Sequence, residues 1–245
     1  IRAGRLENMA PAPRNITIPE LAERYISSMK KIQPQGPYYI LGWSLGGTIA
    51  FEIAAQLEQT NETIAFLALI DAVPPQEKVW QDATTFNLDS EINFIKTYSP
   101  SGELIHEVRE ITDLNQLWIN VVDYLETSNY DVEIIKKMIA GYGVQVLPNF
   151  EQLDLEESIY YLNLGRTLLN ARAQYKPSVR IQTPVHYIIA SQTQVVKKED
   201  WNKYATGGIN YYEIAGDHFS IFKKPGVIRL SNLFSEILQL TPPKN

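Results

Sequence analysis

Apolar residues recur at helical spacing from Ile18 onward, and Leu21, Tyr25, Met29 and Ile32 predict one buried stripe. Thr17 with Glu20 three positions later reads as a capping box, and Pro19 is tolerated in the first turn. Pro34 to Pro37 ends that helix, and Tyr38-Tyr39-Ile40-Leu41 reads as a short buried strand. The period returns to helical from Leu45 to Gln59, with Ile49, Ile53, Ala54 and Leu57 facing inward. Thr63 to Ile70 is then a continuous apolar run, the pattern of a strand covered on both faces in a parallel sheet. Helix and strand in alternation predict an α/β fold with a mostly parallel sheet flanked by helices.

The alternation breaks between Pro74 and about Tyr175. Helical periods over Ile111–Leu125, Val132–Ile139 and Leu155–Tyr175 occur there without a convincing strand. Residues 74–175 hold 16 acidic and seven basic side chains, so this stretch carries −9 and the rest of the chain +3. An insertion of that size within an α/β domain predicts a functional lid rather than a loose loop, here about residues 76–175. Alternation resumes with a strand at Pro184–Ala190, a short helix at Lys198–Tyr204, a strand at Tyr211–Ala215 and a closing helix at Val227–Leu240. No linker is long enough to divide the 245 residues, so they read as a single domain.

Composition narrows the function classes. A hydrophobic fraction of 44% and a charged fraction of 20% exclude a disordered chain. A net charge of −6 without a basic run argues against nucleic acid as a partner. The absence of cysteine removes disulfides, thiolate metal sites and cysteine nucleophiles, and fits a cytoplasmic protein. Three histidines, at 106, 186 and 218, lack metal-ligand spacing, so neither a metal nor a cofactor bound by the domain itself is expected.

Gly42-Trp43-Ser44-Leu45-Gly46 fits G-x-S-x-G between a predicted strand and a predicted helix. That context is the nucleophile elbow, a strained turn whose glycines permit close backbone approach and leave the serine hydroxyl exposed above the sheet. Ser44 needs a base. His186 lies mid-strand and reads as a structural imidazole, and His106 lies beside Glu107 in the acidic insertion and reads as solvated. His218, in Ala215-Gly216-Asp217-His218-Phe219 just past the last strand, is where a sheet-top loop brings an imidazole to the serine.

A buried carboxylate must orient that base. In many such hydrolases it follows the penultimate strand, but here that strand runs into Ser191-Gln192-Thr193-Gln194, and the next acids are Glu199 and Asp200. Asp71 closes the apolar strand ending at Ile70, where burial is costly without a partner, and is the leading candidate. Asp200 is the reserve, and Asp217 points elsewhere if its segment is extended. For the oxyanion, the Leu45 N–H at the start of the helix supplies one donor. No strand and loop for the second is identifiable before Ser44.

With these residues in place the chain resembles the type I thioesterase domain that ends non-ribosomal peptide synthetases. The resemblance is carried by Gly36-Pro37-Tyr38-Tyr39-Ile40-Leu41-Gly42-Trp43-Ser44-Leu45-Gly46-Gly47 with Ala50-Phe51-Glu52, by Leu69-Ile70-Asp71-Ala72-Val73-Pro74-Pro75, and by Gly216-Asp217-His218-Phe219. It covers residues 1–75 and about 180–240, and it implies an α/β-hydrolase fold with a triad of Ser44, Asp71 and His218. It implies a peptidyl or acyl thioester delivered on the 4'-phosphopantetheine of a carrier domain, upstream in the same synthetase. It also implies release by hydrolysis or macrocyclisation, and an N-terminal segment, with the second oxyanion donor, upstream of residue 1. Two other functions fit the same residues: a free-standing editing thioesterase or small-molecule esterase, and a non-catalytic hydrolase-fold interaction module. Lys197, Lys198, Lys223 and Lys224 read first as solvated cations, and alternatively as a docking edge for an acidic carrier.

Overall fold

The computed structural model describes residues 15–75, 86–98, 106, 108, 110–128, 152, 153, 155–193 and 201–240. In chain order the elements are α1 (Ile18–Ile32), β1 (Tyr38–Trp43), α2 (Leu45–Gln59), β2 (Ile64–Ile70), α3 (Leu88–Tyr98), α4 (Leu114–Thr127), α5 (Leu155–Gln174), β3 (Val185–Ala190), β4 (Ile209–Ile214) and α6 (Gly226–Leu240). They fall into two compact units, one within Thr17–Gln81 and Gln174–Asn245, the other within Ile1–Ile16 and Asp82–Ala173.

Among the described residues the first unit is built on a four-stranded sheet of order β1-β2-β3-β4, parallel throughout. Its register aligns Trp43 with Ile70, Ile70 with Ile188, and Ala190 with Ile214, so the C-terminal ends of the strands lie side by side. A parallel sheet needs cover on both faces, and the β-branched and aromatic content of β2 and β3 supplies it. Phe66, Ala68, Ile70, Ile188 and Ala190 pack with Ile214 and with Leu230 and Ile237 of α6. The alternate residues Leu67, Leu69, Val185 and Tyr187 are buried on the face that α2 covers.

α1 begins as its sequence dictates: the Thr17 hydroxyl accepts from the Glu20 N–H, and the Glu20 carboxylate accepts from the Thr17 N–H at 2.8 Å. Its buried residues are Ile18, Leu21 and Ala22, and Ile32, expected at the end of the stripe, is 87% exposed because the last turn runs past its cover. β1 is likewise only half buried. Tyr38 and Ile40 are inside, while among the described residues Tyr39 and Leu41 are about half exposed and Trp43, on the same face, packs against the cluster that includes α6. Of the expected Lys198–Tyr204 helix the described part is a turn closed by the Tyr204 N–H on the Trp201 carbonyl.

The second unit is helical among its described residues, as the insertion predicts. α4 starts at an Asp113 cap whose carboxylate accepts from the Gln116 N–H. α3 has no counterpart in the predicted elements. Its start is set by Asn87 and Ser90, which are joined by three side chain–backbone hydrogen bonds. The expected helix at Val132–Ile139 lies outside the described residues. Ile95, Leu117, Trp118, Val121, Leu125, Ile159 and Leu162 form the core.

Glu91 of α3 is fully buried there and takes a bidentate pair from Arg166 of α5 at 2.7 and 2.8 Å, with the Trp118 indole N–H at 3.0 Å. The Arg166 guanidinium also lies 3.6 Å from the Phe94 ring centre. Removing one partner of such a pair leaves an uncompensated buried charge. Glu91→Ala is therefore expected to cost about 3–5 kcal/mol, read as a lowered urea midpoint of the helical unit's transition.

Candidate active site

The C-terminal edge of the sheet gathers the chemistry-bearing residues. β1 ends at Trp43 and α2 begins at Leu45, so a single residue, Ser44, makes the turn, with φ 55° and ψ −124°. A serine in that region is strained, and neighbouring structure must hold it. The Ser44 N–H donates to the Ile70 carbonyl at 2.9 Å, and the Ser44 carbonyl accepts from Gly47 at 3.0 Å. A Cβ on Gly42 would lie 2.0 Å from the Gly46 carbonyl oxygen, and one on Gly47 2.3 Å from the Ala72 Cβ. Those two glycines are dictated by close approach. Among the described residues Gly46, the last glycine of the motif, has no heavy atom within 4 Å of where a Cβ would stand.

Asp71, the residue after β2, also has a positive φ of 46°, and its N–H donates to the Ile188 carbonyl. Its side chain is fully buried. Oδ2 receives His218 Nδ1 at 2.6 Å and the Thr193 hydroxyl at 2.8 Å, and Oδ1 receives the Ala190 N–H at 3.0 Å. Burial pushes the Asp71 carboxyl up, but the hydrogen bonds from His218, Ala190 and Thr193 outweigh it and hold its pKa below the ordinary value. With Nδ1–H donated to the carboxylate, the imidazole presents Nε2 as a lone pair.

His218 is brought to Asp71 by the loop after β4. Gly216 has a φ of 136°, where a Cβ would meet the Ser220 hydroxyl at 2.7 Å. Asp217 is exposed and accepts from the N–H groups of Phe219 and Ser220, so it shapes this loop and does not orient the imidazole. The Trp43 ring lies 4.9 Å from the His218 ring and is itself met edge-on by Phe222 at 4.9 Å.

Of the predicted site residues, Asp71 and His218 are hydrogen-bonded. Ser44 sits at the end of the neighbouring strand, tied through its N–H to the residue before Asp71. Among the described residues the Ser44 hydroxyl has no hydrogen-bond partner; in unliganded sites such bonds are often long and tighten with substrate. Leu45, the first residue of α2, has an N–H without an intrahelical acceptor, as an oxyanion donor requires. His186 pairs with the Tyr212 hydroxyl at 3.1 Å, as a structural imidazole does, and His106 is exposed. Asp200, Lys197 and Lys198 lie outside the described residues. Thr193 was visible in the sequence only as the hydroxyl standing where an acid was sought, and no local pattern marks its partner 122 residues away. Among the described residues no cluster of His, Cys, Asp or Glu could hold a metal ion, and no helix is long and apolar enough to cross a membrane.

A parallel sheet flanked by helices, with a serine at the first strand-to-helix turn and an aspartate–histidine pair beside it, is an α/β-hydrolase fold. The model of the Thioesterase domain family matches residues 3–235, and the chain belongs to that family. Enterobactin synthase component F of Escherichia coli (strain K12) is 42% identical over 82 residues, 34% of this chain and 6% of that protein. Atromentin synthetase of Tapinella panuoides is 25% identical over 227 residues, 88% of this chain and 21% of that protein. The chain thus spans less than a quarter of these relatives' length. Among solved structures, a four-domain nonribosomal peptide synthetase, holo-AB3403 bound to AMP and glycine, shares the fold at a TM-score of 0.60 with 23% identity, over 91% of this chain and 16% of that one.

The direction of the Asp71 shift fixes a sign. A depressed folded pKa contributes stability that is present above the unfolded value, near 3.9, and is lost as pH falls through the folded one. The stability difference between the wild type and Asp71→Asn is therefore expected to shift against the wild type as pH drops from 5 towards 2, measured by urea unfolding of both.

Proposed function

We propose that this chain is a chain-terminating thioesterase, releasing a peptidyl or acyl group from a carrier-bound phosphopantetheine thioester through an ester on Ser44. The observation that carries this reading is the hydrogen bond of 2.6 Å between buried Asp71 and His218 at the sheet edge where Ser44 stands, in a chain of the thioesterase family. The names of its relatives, a synthase component and a synthetase, and the four-domain nonribosomal peptide synthetase that shares its fold support the carrier context. The chain is one thioesterase domain, and the helical unit is its lid insertion, which selects what reaches the ester.

The steps follow from the residues. Ser44 Oγ attacks the thioester carbonyl carbon while its proton passes to His218 Nε2. Asp71 stabilises the imidazolium, and the Leu45 N–H at the positive end of α2 faces the oxyanion. The carbon–sulfur bond breaks, and the departing sulfur takes the proton from Nε2 and leaves as the carrier's thiol. His218 then removes a proton from water, or from a hydroxyl or amine of the acyl chain itself. That nucleophile attacks the ester carbonyl, and the bond to Ser44 Oγ breaks as Oγ regains a proton from Nε2. Water yields the free acid, and an internal nucleophile yields a ring.

A fluorophosphonate is expected to add once to the wild type and not to Ser44→Ala, read by intact mass. Asp71→Asn should slow adduct formation on the order of a thousandfold, whereas Asp200→Asn should leave it within twofold. The reverse pair of results would move the acid to position 200. Preference for pantetheine thioesters over simple esters of the same acyl group is expected; the opposite preference would favour a small-molecule esterase.

Charge supports a place for the carrier. Lys223 and Lys224 are exposed next to exposed Phe219 and Phe222, on the segment that carries His218, in a chain of net charge −6. Lys223→Glu with Lys224→Glu should lower turnover of carrier-bound substrate severalfold and leave a free pantetheine thioester unaffected. Equal turnover of both substrates would place docking elsewhere.

A further inference from the structure

Beyond the three residues of the proposed triad, the turn after β3 is bonded to both the acid and the loop that carries the base. The turn closes on itself through the Thr193 N–H and the Ala190 carbonyl at 2.9 Å. Toward Asp71 it offers two donors, the Ala190 N–H to Oδ1 and the Thr193 hydroxyl to Oδ2. Toward the His218 loop it offers the Ser191 N–H to the Ile214 carbonyl and the Gln192 N–H to the Gly216 carbonyl. It also accepts the Gly216 N–H on the Ser191 hydroxyl at 3.2 Å. Four consecutive residues thus bond Asp71 on one side and, on the other, the loop that carries His218.

We propose that Thr193 is a positioning residue for the Asp71–His218 pair, and that the turn 190–193 fixes the spacing and orientation of that pair. This rests on the reading of Asp71 and His218 as acid and base. A carboxylate bonded only at Oδ1 and by the imidazole is free to rock about its last torsion, a broad and roughly two-fold one. The Thr193 hydroxyl closes that freedom. It occupies the second acceptor direction of Oδ2, so that the first stays aimed at Nδ1. Because the same turn holds Gly216, a displacement of the loop carries the acid's support with it, and the two groups move together. The depressed pKa of Asp71, to which Thr193 contributes, agrees with a carboxylate held ionised for this purpose. Position 193 lies in the turn where the acid was sought after the penultimate strand, and this chain supplies there a hydroxyl that serves an acid carried on β2.

The test is the rate of fluorophosphonate addition to Ser44 at a series of probe concentrations, which separates binding from bond formation. Thr193→Val is expected to slow bond formation about tenfold, the effect of losing one hydrogen bond to a charged group, with the half-saturating concentration unchanged. Thr193→Ser, which keeps the hydroxyl, should stay within about twofold of the wild type. In an Asp71→Asn background Thr193→Val should cost less than about twofold, because the group it serves is gone. A purely structural role predicts the same tenfold loss in both backgrounds and no rescue by serine, and either result overturns the inference. So does a Thr193→Val rate within twofold of the wild type. If Thr193→Val fails to unfold cooperatively, Thr193→Ala replaces it with the same expectations. A wild type that forms no adduct overturns the triad and this inference together, whereas an active wild type with an indifferent Thr193 overturns the inference alone.

Discussion

The carboxylate of Asp71 is the constraint on which the rest of the site depends. Withdrawing an ionised carboxylate from water costs several kcal/mol even after relaxation, and this one has no exposed side-chain surface. Three donors offset that cost: a strand N–H from β3, a hydroxyl from the turn after it, and an imidazole from the loop after β4. They converge only if β2, β3 and β4 are parallel, adjacent and in the register that places Ile188 beside Ile70 and Ile214 beside Ala190. A slip of one residue would turn the Ala190 N–H away and send the apolar residues of β3 to the wrong faces. The sheet's order and register are therefore conditions for the charge, and the charge helps to select that register against its neighbours.

The turn that bears Ser44 obeys a related rule. Ser44 and Asp71 both carry positive φ, and both stand one residue beyond the end of neighbouring strands. Residues held in such regions cost of order 1–3 kcal/mol each and persist only where their surroundings over-determine them. Each is held by its N–H on the next strand along: Ser44 on Ile70, Asp71 on Ile188. The Ala72 carbonyl, one residue on, is gripped by the Tyr187 hydroxyl and the Trp201 indole, both at 3.1 Å. Gly47 fits against the Ala72 Cβ with no room for its own. The turn that bears the serine and the turn that bears the aspartate are thus packed against each other, which transmits the position of one to the other without a direct side-chain bond.

What was legible in the sequence was local. The Thr17–Glu20 box, the continuous apolar run into Asp71 and the glycine-serine turn announce themselves within a few residues, because caps, faces and tight turns are short-range requirements. His218 was legible by its place after the last strand. The features that escaped are those set by distant partners. The half exposure of Tyr39 and Leu41 among the described residues depends on how far α6 reaches, and α3 depends on an exchange between Asn87 and Ser90. Thr193 is an ordinary turn residue until a carboxylate from another strand arrives at its hydroxyl. Among the described residues it is Gly42 and Gly47 that are crowded, a difference within the motif that its spacing does not show.

The two compact units each hold their own buried polar groups. Among the described residues, the hydrogen bonds that hold Ser44, Asp71, His218 and Thr193 are made within the sheet-bearing unit. The helical unit has its own apolar core and its own buried polar centre, with Glu91 satisfied twice by Arg166 and once by Trp118. A unit that satisfies its own buried charge does not need the Asp71–His218 pair to fold, and a pair supported by β3 and the turn after it is held by donors of its own unit.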